Sequence, residues 1–564
     1  MNDLIHKFLD GRKLVILILL MILCIQLAVY FFLYQRANLI TPPGRVHAMQ
    51  NLDAFYPDVI RQSKLGSWGY EYTLTTLPTK KVYAYMFFIG AGKIAAIFNI
   101  DPVTMYEVTR ITGAIAVFAA TYWLITLLLP ITLHIPAIIF TLLFEPFPLW
   151  NNLMHTPVGQ WASLWIFEPP VVANRFGFPH HLWAEAIGFS LICMIIQTVK
   201  KFSWTTLIII VILSVAGPLS SPTFFAILAT CLFPSWLVYA AATKTLKRSL
   251  LPIVFAMTGI VCVSLFTKAQ FSSAGQPWDT FITTEKSWWD TDFVIKPFIQ
   301  SFSLYYLFVI VLLITAPLGW TKWSNAIRRT FFLSLSWSVL PVMLIYLSAL
   351  PWVPLVNGRI SSDLSRVPIG ILATLAFYSA GRIKYFRRAA HIFVTLFFFL
   401  AVAASILLSE SYVNQMMQSQ DNVLSKDDNG WTVYPSLDLW NGMMALKNVP
   451  VWSHVLIYPH VGDLLHAYVP VRSYMGRRYG ETDYIARWGL SSLFYTGEMS
   501  NEDVGRLFTD NDISYVFFGP EEKYAKKTLS FYDDILEVIY KNPEVLILPH
   551  VAEPESGSTR RTMQ

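Results

Sequence analysis

Residues Leu14 to Tyr34 spell LVILILLMILCIQLAVYFFLY, an apolar run that contains no charged side chain. A helix needs roughly 20 such residues to cross about 30 Å of hydrocarbon. Similar runs recur along the 564-residue chain, which is 55% hydrophobic and 14% charged. The sequence therefore predicts a polytopic α-helical membrane protein, and the first run, too long for a secretion signal, is predicted to be a retained span.

Short cationic clusters between the apolar runs indicate cytoplasmic loops, and an even number of crossings must separate any two of them. These clusters lie at Lys7 to Lys13, Lys200 with Lys201, Lys244 to Arg248, Lys322 to Arg329, and Arg382 to Arg388. After Lys201, paired spans satisfy the rule at about 205–217 and 221–242, 249–267 and 298–317, and 330–349 and 367–381. A last span at about 389–409 carries the chain to the outside.

The N-terminal part offers one candidate span too many: Leu14–Tyr34, Val82–Phe98, Ile111–Leu129, Ile131–Trp150 and Trp183–Val199. The segment Val82–Phe98 is short, contains Lys93 and two glycines, and is predicted to lie along the outer interface as an amphipathic helix. About eleven transmembrane helices remain. The N-terminus is then cytoplasmic, and a large first outer loop covers about 35–110.

The composition changes to that of a soluble protein after Ser411. We therefore divide the chain into a transmembrane domain at 1–410, an extracytoplasmic α/β domain at 411–553 and a disordered tail at 554–564. Within the α/β domain, period-two and helical patterns predict both strands and helices. The strands are Val455–Tyr458, Val471–Tyr474, Ile513–Phe518 and Val545–Leu548, and the helices are Thr482–Tyr495, Asn501–Thr509 and Phe531–Tyr540.

The net charge of +6 does not indicate nucleic-acid binding, because the cations lie in short loops and form no continuous basic face. Membrane lipids are the predicted surroundings. The four cysteines lie in apolar runs and form no CxxC pattern. With no Asn-x-Ser/Thr acceptor in the soluble end, we place the protein in a bacterial or archaeal plasma membrane as a multi-pass protein.

The first outer loop carries two acids, Asp53 and Asp58, just after the first span. A carboxylate held at the membrane surface can accept a proton from an acceptor hydroxyl if the loop excludes water. Asp53 is the first candidate for this base and Asp58 the second. The alternative is that both are solvated loop acids or helix caps.

Two further outer segments concentrate cations near predicted spans. Arg175 with His180 and His181 could bind a phosphate, or could bond to nearby backbone at the interface. The histidines lack the spacing of a metal site, so no residue is assigned as a metal ligand. The use of a divalent metal ion as a cofactor is left as an alternative. Arg359 and Arg366 are predicted either to bind a lipid phosphate or to pair with Asp363 in the same segment.

An Asp in a long first outer loop, followed by Tyr56 and by Gly66-Ser67-Trp68, resembles the GT-C superfamily of polyprenyl-phosphate-sugar-dependent glycosyltransferases. So does the soluble end, with Pro470 to Gly476, Arg487 and Asn511 to Glu522. The resemblance implies transfer of a sugar from a lipid-phosphate donor to a glycan, lipid or protein acceptor on the outer face. It implies Asp53 as the base, with Tyr56, Asp58, Arg175, His180, His181, Arg359 and Arg366 at the donor phosphate or substrate. Asp53 has no adjacent second acid, unlike the paired-acid forms of this motif.

Two other classes compete with this function. A multi-span transporter or lipid flippase places ionisable residues near the bilayer midplane, whereas the predicted spans here are nearly free of them. A non-catalytic scaffold for envelope assembly would use the soluble end to bind a partner. Sugar transfer by the purified protein would separate the enzyme from both alternatives.

Overall fold

The computed structural model describes most of the residues from 51 onward. The described ranges are 51–143, 178–279, 309–317, 323–348, 366–381, 437–475, 484–525 and 532–550, with single positions between some of them. The predicted spans Leu14–Tyr34 and 389–409, most of 298–317, and the tail 554–564 lie outside these ranges.

Long apolar helices dominate the part up to Gly381. After the two loop helices α1 (Asn51–Lys64) and α2 (Met86–Ile97), the chain forms α3 (Pro102–Leu128), a short irregular helical run over Ile131–Leu143 that includes α4 (His134–Ile138), then α5 (Pro179–Lys200), α6 (Trp204–Ser220), α7 (Pro222–Thr243), α8 (Leu246–Ala274), α9 (Asn325–Ser348) and α10 (Arg366–Gly381). The long helices from α3 onward carry apolar side chains on almost all of their faces. This composition is typical of helices surrounded by lipid, whereas a helix at a protein surface has one polar face.

Four described helices are long and apolar enough to cross a membrane. They are α3, α5, α7 over Pro222–Ala241, and α8, and each coincides with a predicted span. Helices α6 and α10 are apolar but shorter. The chain is thus a helical membrane fold with a small sheet, and the total of about eleven spans stays a prediction.

The chain divides into two compact units. We call the first the helical unit; its described residues lie within Glu107–Gln270 and Ile282–Val413. The second, which we call the loop-sheet unit, comprises Tyr34–Tyr106, Phe271–Phe281 and Asn414–Gln564. The first outer loop therefore belongs to the same compact unit as the C-terminal segment, although more than 300 residues separate them along the chain.

Helices α1 and α2 pack tightly against each other in the loop-sheet unit. At Gly92 an added Cβ would lie 2.5 Å from both the Ile60 carbonyl oxygen and the Ser63 Cβ, so only glycine fits there. The Ser63 hydroxyl donates to the Ile89 carbonyl at 2.7 Å, which fixes the same crossing. With 12 residues, α2 is about 18 Å long, too short to cross a bilayer, and its predicted interfacial location is untested.

A five-stranded mixed sheet forms the centre of the C-terminal segment. Its elements are α11 (Leu437–Ala445), β1 (His454–Leu456), α12 (Pro459–Tyr468), β2 (Arg472–Ser473), α13 (Tyr484–Thr496), α14 (Asn501–Asn511), β3 (Ile513–Phe518), α15 (Pro520–Ala525), β4 (Tyr540–Lys541) and β5 (Leu546–Pro549). The strand order is β2-β1-β3-β5-β4, with the first three strands parallel and the last two pairings antiparallel.

Period-two alternation gives this sheet two apolar faces. Val455, Phe517 and Ile547 join one buried cluster, whereas their neighbours Leu456 and Val516 join the other. Helices cover both faces because each apolar face must be buried.

Most predicted elements of this segment are confirmed. Strand β3 has the predicted bounds, and β1, β2 and β5 lie within two residues of theirs. The predicted helix Phe531–Tyr540 is wrong: the described residues there form turns and a bridge between Leu536 and His550. Burial of Tyr532, whose hydroxyl donates to the Met499 carbonyl, outweighs the weak helical pattern. Helices α11, α12 and α15 and strand β4 were not anticipated.

Candidate functional site

Helix α1 carries both candidate acids of the first outer loop. Asp53 lies in its first turn and Asp58 in its second, separated by Pro57. Proline has no N–H to donate to the carbonyl of residue 53, so one helical hydrogen bond is missing next to the candidate base. The structure describes the backbone of Asp53 but not its side chain, and its role as base stays a prediction.

Asp58 is almost completely buried, at 1% exposure. Its Oδ1 accepts from Arg61 Nη1 at 3.2 Å, and its Oδ2 accepts from Gln62 at 3.1 Å and from the Thr73 hydroxyl at 2.6 Å. Burial raises the pKa of Asp58, while Arg61, Thr73 and Gln62 act against that rise. The predicted substrate role of Asp58 is untested, and this packing favours a structural role.

The chain of hydrogen bonds continues from Thr73 to the fully buried His466. The Thr73 hydroxyl donates to Asp58, so its oxygen is available to accept from His466 Nδ1 at 3.4 Å. His466 Nε2, at 2.7 Å, then accepts from the Ser473 hydroxyl. Burial and the charges of Arg61 and Arg472 lower the pKa of His466 to about 3, so the ring is neutral.

The loop segment after α1 lies along β2, the edge strand of the sheet. Ser473 donates its backbone N–H to the Thr73 carbonyl at 3.2 Å, and Thr75 forms an antiparallel bridge with Met475. Arg472 pairs with Glu71 beside this contact. The loop thus covers a strand edge that would otherwise expose unpaired backbone groups.

Arg61 connects α1 to the C-terminal end of α12. Its Nη1 donates to the His466 carbonyl at 2.6 Å and to the Val469 carbonyl at 3.0 Å. Its side chain is 8% exposed. Sequence reasoning did not single out Arg61, Thr73, His466 or Ser473, because no local pattern links residues about 400 positions apart.

Tyr56 lies in an aromatic cluster rather than in open solvent. Its ring stacks on Phe88 with centroids 4.5 Å apart, and Tyr106 lies parallel to it at 6.3 Å. Phe55 and Tyr85 contact the same cluster edge-on. The half-buried position of Tyr56 is compatible with a ligand contact, but its predicted substrate role is untested.

His180 and His181 lie in the first turn of α5, in the helical unit. Their rings are 4.3 Å apart and nearly perpendicular, and both are half-buried. Trp183, one turn further, donates to the Thr109 carbonyl in the second turn of α3 at 3.0 Å, so the N-terminal parts of these two apolar helices lie together. Arg110 and Glu185, each 1% exposed, are buried near these same helix ends.

The remaining predicted phosphate ligands are not part of what the structure describes. Arg175 and Arg359 fall outside the described ranges, and Arg366 is described as the first residue of α10 without its side chain. Among the described residues, no three His, Cys, Asp or Glu side chains form a cluster that could hold a metal ion. Metal dependence is therefore untested.

The proteins found to be similar to this chain are solved structures. No family model and no curated protein sequence matches the chain. Among solved structures, ArnT from Cupriavidus metallidurans bound to undecaprenyl phosphate superposes with a TM-score of 0.52 at 10% identity, over 94% of this chain and 98% of ArnT. Its apo form gives 0.50 at 12% identity, over 95% and 99%. The archaeal oligosaccharyltransferase AglB from Archaeoglobus fulgidus, in complex with an inhibitory peptide and a dolichol-phosphate, gives 0.51 at 11% identity, over 92% of this chain and 72% of AglB.

The chain has the GT-C fold. At this identity the likeness establishes the fold and leaves the activity, the substrates and the site residues to be argued separately. Among the site residues predicted from the sequence, the structure describes the side chains of Tyr56, Asp58, His180 and His181.

Proposed function

We propose that this protein is a membrane glycosyltransferase, which moves a sugar from a polyprenyl-phosphate donor to an acceptor on the outer face of the membrane. The observation that carries the proposal is the match to ArnT over nearly the full length of both chains. The ArnT structure holds undecaprenyl phosphate, and the AglB structure holds a dolichol-phosphate and a peptide. A polyprenyl phosphate is thus a bound ligand in both of these structures.

In the proposed reaction, an acceptor hydroxyl attacks the sugar C1 and its proton passes to Asp53. The bond between C1 and the phosphate oxygen breaks, and the polyprenyl phosphate leaves with the electron pair. Asp53 suits this role because it lies in the first turn of a helix whose later turns are bonded to the rest of the loop-sheet unit through Asp58 and Arg61. Asp58 suits it less, since both of its oxygens already accept hydrogen bonds.

The leaving phosphate needs positive charge more than it needs a proton. Arg175, His180, His181, Arg359 and Arg366 are the candidates, since guanidinium and imidazolium groups donate hydrogen bonds to phosphate oxygens. His180 and His181 begin an apolar helix, where a phosphate joined to a membrane-embedded lipid tail would also meet the helix N-terminus.

The test uses purified protein in lipid nanodiscs, with a panel of undecaprenyl-phosphate-linked radiolabelled hexoses and pentoses as donors. Membranes from cells that lack the protein supply acceptors, and transfer is measured as label that leaves the lipid carrier. We expect transfer from at least one donor. Asp53→Asn should lower it by roughly 100-fold or more, since general-base contributions are of that order.

The matched control is Asp510→Asn, because Asp510 is exposed on α14. That variant should transfer at the normal rate. Normal transfer by folded Asp53→Asn would remove Asp53 as the base. A folded wild-type protein that transfers no label from any donor would contradict the function itself.

A further inference from the structure

One buried cation joins the loop helix to the C-terminal segment within the loop-sheet unit. Arg61 makes all its described hydrogen bonds through Nη1: to Asp58 in its own helix, and to the carbonyls of His466 and Val469 at the end of α12. The residues it joins are more than 400 positions apart in the chain. Arg61 therefore ties α1 to the C-terminal end of α12 by two hydrogen bonds, in addition to the packing of the two helices against each other.

The chemistry of the contact explains why an arginine occupies it. The last carbonyls of a helix have no partner within the helix and carry partial negative charge. In α12 the Leu465 carbonyl accepts from the Val469 N–H at 2.8 Å, and Arg61 satisfies the His466 carbonyl. In a buried setting, loss of such a donor leaves an unsatisfied carbonyl and weakens the attachment of the two helices.

Asp58 and Thr73 orient this cation. Asp58 lies one turn before Arg61 on the same helix face and accepts from its Nη1 at 3.2 Å. The Thr73 hydroxyl holds the other oxygen of Asp58 and reaches His466 as well. In the observed position, Nη1 lies within hydrogen-bond distance of the carboxylate and of both carbonyls.

We propose that Arg61 is a positioning residue for sugar transfer: by anchoring α1 to the end of α12, it holds the first turn of α1, and with it Asp53, in place. This inference rests on the proposed function of Asp53. The distance between the two positions is eight residues along one helix, or about 12 Å.

A contact this far from the chemistry can act because a helix transmits a displacement along its length. Pro57 lies between the two positions and removes one helical hydrogen bond, but the helix continues through it from Asn51 to Lys64, so the first turn still moves with the turns that Arg61 holds. A misplacement of about 1 Å in a reacting group can cost roughly 100-fold in rate. Loss of Arg61 should therefore lower kcat and leave donor binding nearly unchanged.

The experiment compares Arg61→Met, Arg61→Lys and Thr73→Val with the control Arg506→Met. Arg506 lies on the exposed face of α14 and pairs with Glu502 and Asp503 in solvent. Transfer kinetics give kcat and the KM for the donor, and hydrogen exchange of the intact protein follows residues 51–64 and 459–469, with β3 as the internal reference.

We expect Arg61→Met to lower kcat about 10- to 100-fold with the donor KM within about threefold, given the sensitivity of reacting groups to position. Exchange should rise in 51–64 and 459–469 but not in β3. Arg61→Lys should recover part of kcat, since an ammonium can still donate to the carbonyls. Thr73→Val should lower kcat and raise exchange in the same segments by smaller amounts. Arg506→Met should change neither kcat nor exchange.

Three outcomes would overturn the inference. The first is a wild-type kcat in Arg61→Met, and the second is unchanged exchange in 51–64. The third is a fall in kcat with equal gains of exchange in β3, which would indicate general unfolding. If the wild-type protein transfers no label from any donor, the proposed function fails, while the exchange measurements still decide whether Arg61 anchors α1.

Discussion

The hydroxyl of Thr73 donates a 2.6 Å hydrogen bond to Asp58, and the same hydroxyl oxygen lies 3.4 Å from His466 of the C-terminal segment. One small side chain thus links the carboxylate of the first outer loop to a buried imidazole nearly 400 residues away. The order of donors runs from Ser473 through His466 and Thr73 to Asp58. A carboxylate is the natural end of such a chain, because it only accepts.

Asp58→Asn should destabilise the protein. The change removes the charge that compensates buried Arg61, and breaking one side of a buried ion pair typically costs about 3–5 kcal/mol. We expect a clearly lower apparent Tm in detergent, measured by intrinsic fluorescence. Asp510→Asn, with the same chemical change on an exposed residue, should leave Tm unchanged.

The pair can also be tested by removing both partners. Asp58→Asn combined with Arg61→Met should be less destabilised than the sum of the two single variants, because neither buried charge is then left alone. Additive effects, or a Tm for Asp58→Asn equal to that of the exposed control, would show that the pair does not hold α1.

His466 should make stability fall in acid. Its folded-state pKa of about 3 lies below the ordinary value of 6.5, so the unfolded chain binds the proton more readily. The contribution of the neutral ring is therefore complete above about pH 6.5 and is lost as the pH falls toward 3. The slope approaches about 1.4 kcal/mol per pH unit between these limits.

His466→Gln provides the comparison, since a glutamine can accept from Ser473 and donate to Thr73 but does not titrate. The variant should be less stable than the wild type at pH 7, and the difference in Tm should shrink as the pH is lowered to 4.5. A difference in Tm that stays constant over this range would mean that His466 does not account for the acid sensitivity.

Gly92→Ala should destabilise the crossing of α1 and α2. The new methyl group would lie 2.5 Å from a backbone oxygen and from Ser63 Cβ, neither of which can move as a flexible side chain could. Overpacking of this kind costs about 1–3 kcal/mol. Gly90→Ala, two residues away in the same helix, meets no atom within 4 Å and should gain up to about 1 kcal/mol of helix propensity. Equal apparent Tm values for the two variants would contradict the close approach.

Local patterns were sufficient for the long apolar helices and for several elements of the C-terminal segment. The apolar runs that became α3, α5, α7 and α8 need no partner to be recognised, because a helix in lipid satisfies its own backbone hydrogen bonds. Strand β3 was predicted with its bounds because its alternation and the Gly519-Pro520 stop are both local. The helix predicted for Phe531–Tyr540 failed because its weak pattern gave way to long-range burial of Tyr532.

Sequence by itself determined that this is a multi-helical membrane protein, that its first long loop carries candidate acids, and that it resembles the GT-C superfamily. Only the tertiary structure decided what the second acid contacts: Asp58 is buried and accepts hydrogen bonds from Arg61, Gln62 and Thr73, and the loop covers the edge of β2. The physical reason is the separation, along the chain, of the residues that come into contact. Hydropathy and periodicity are properties of neighbouring residues, whereas burial of a carboxylate depends on side chains that only folding brings within hydrogen-bond distance.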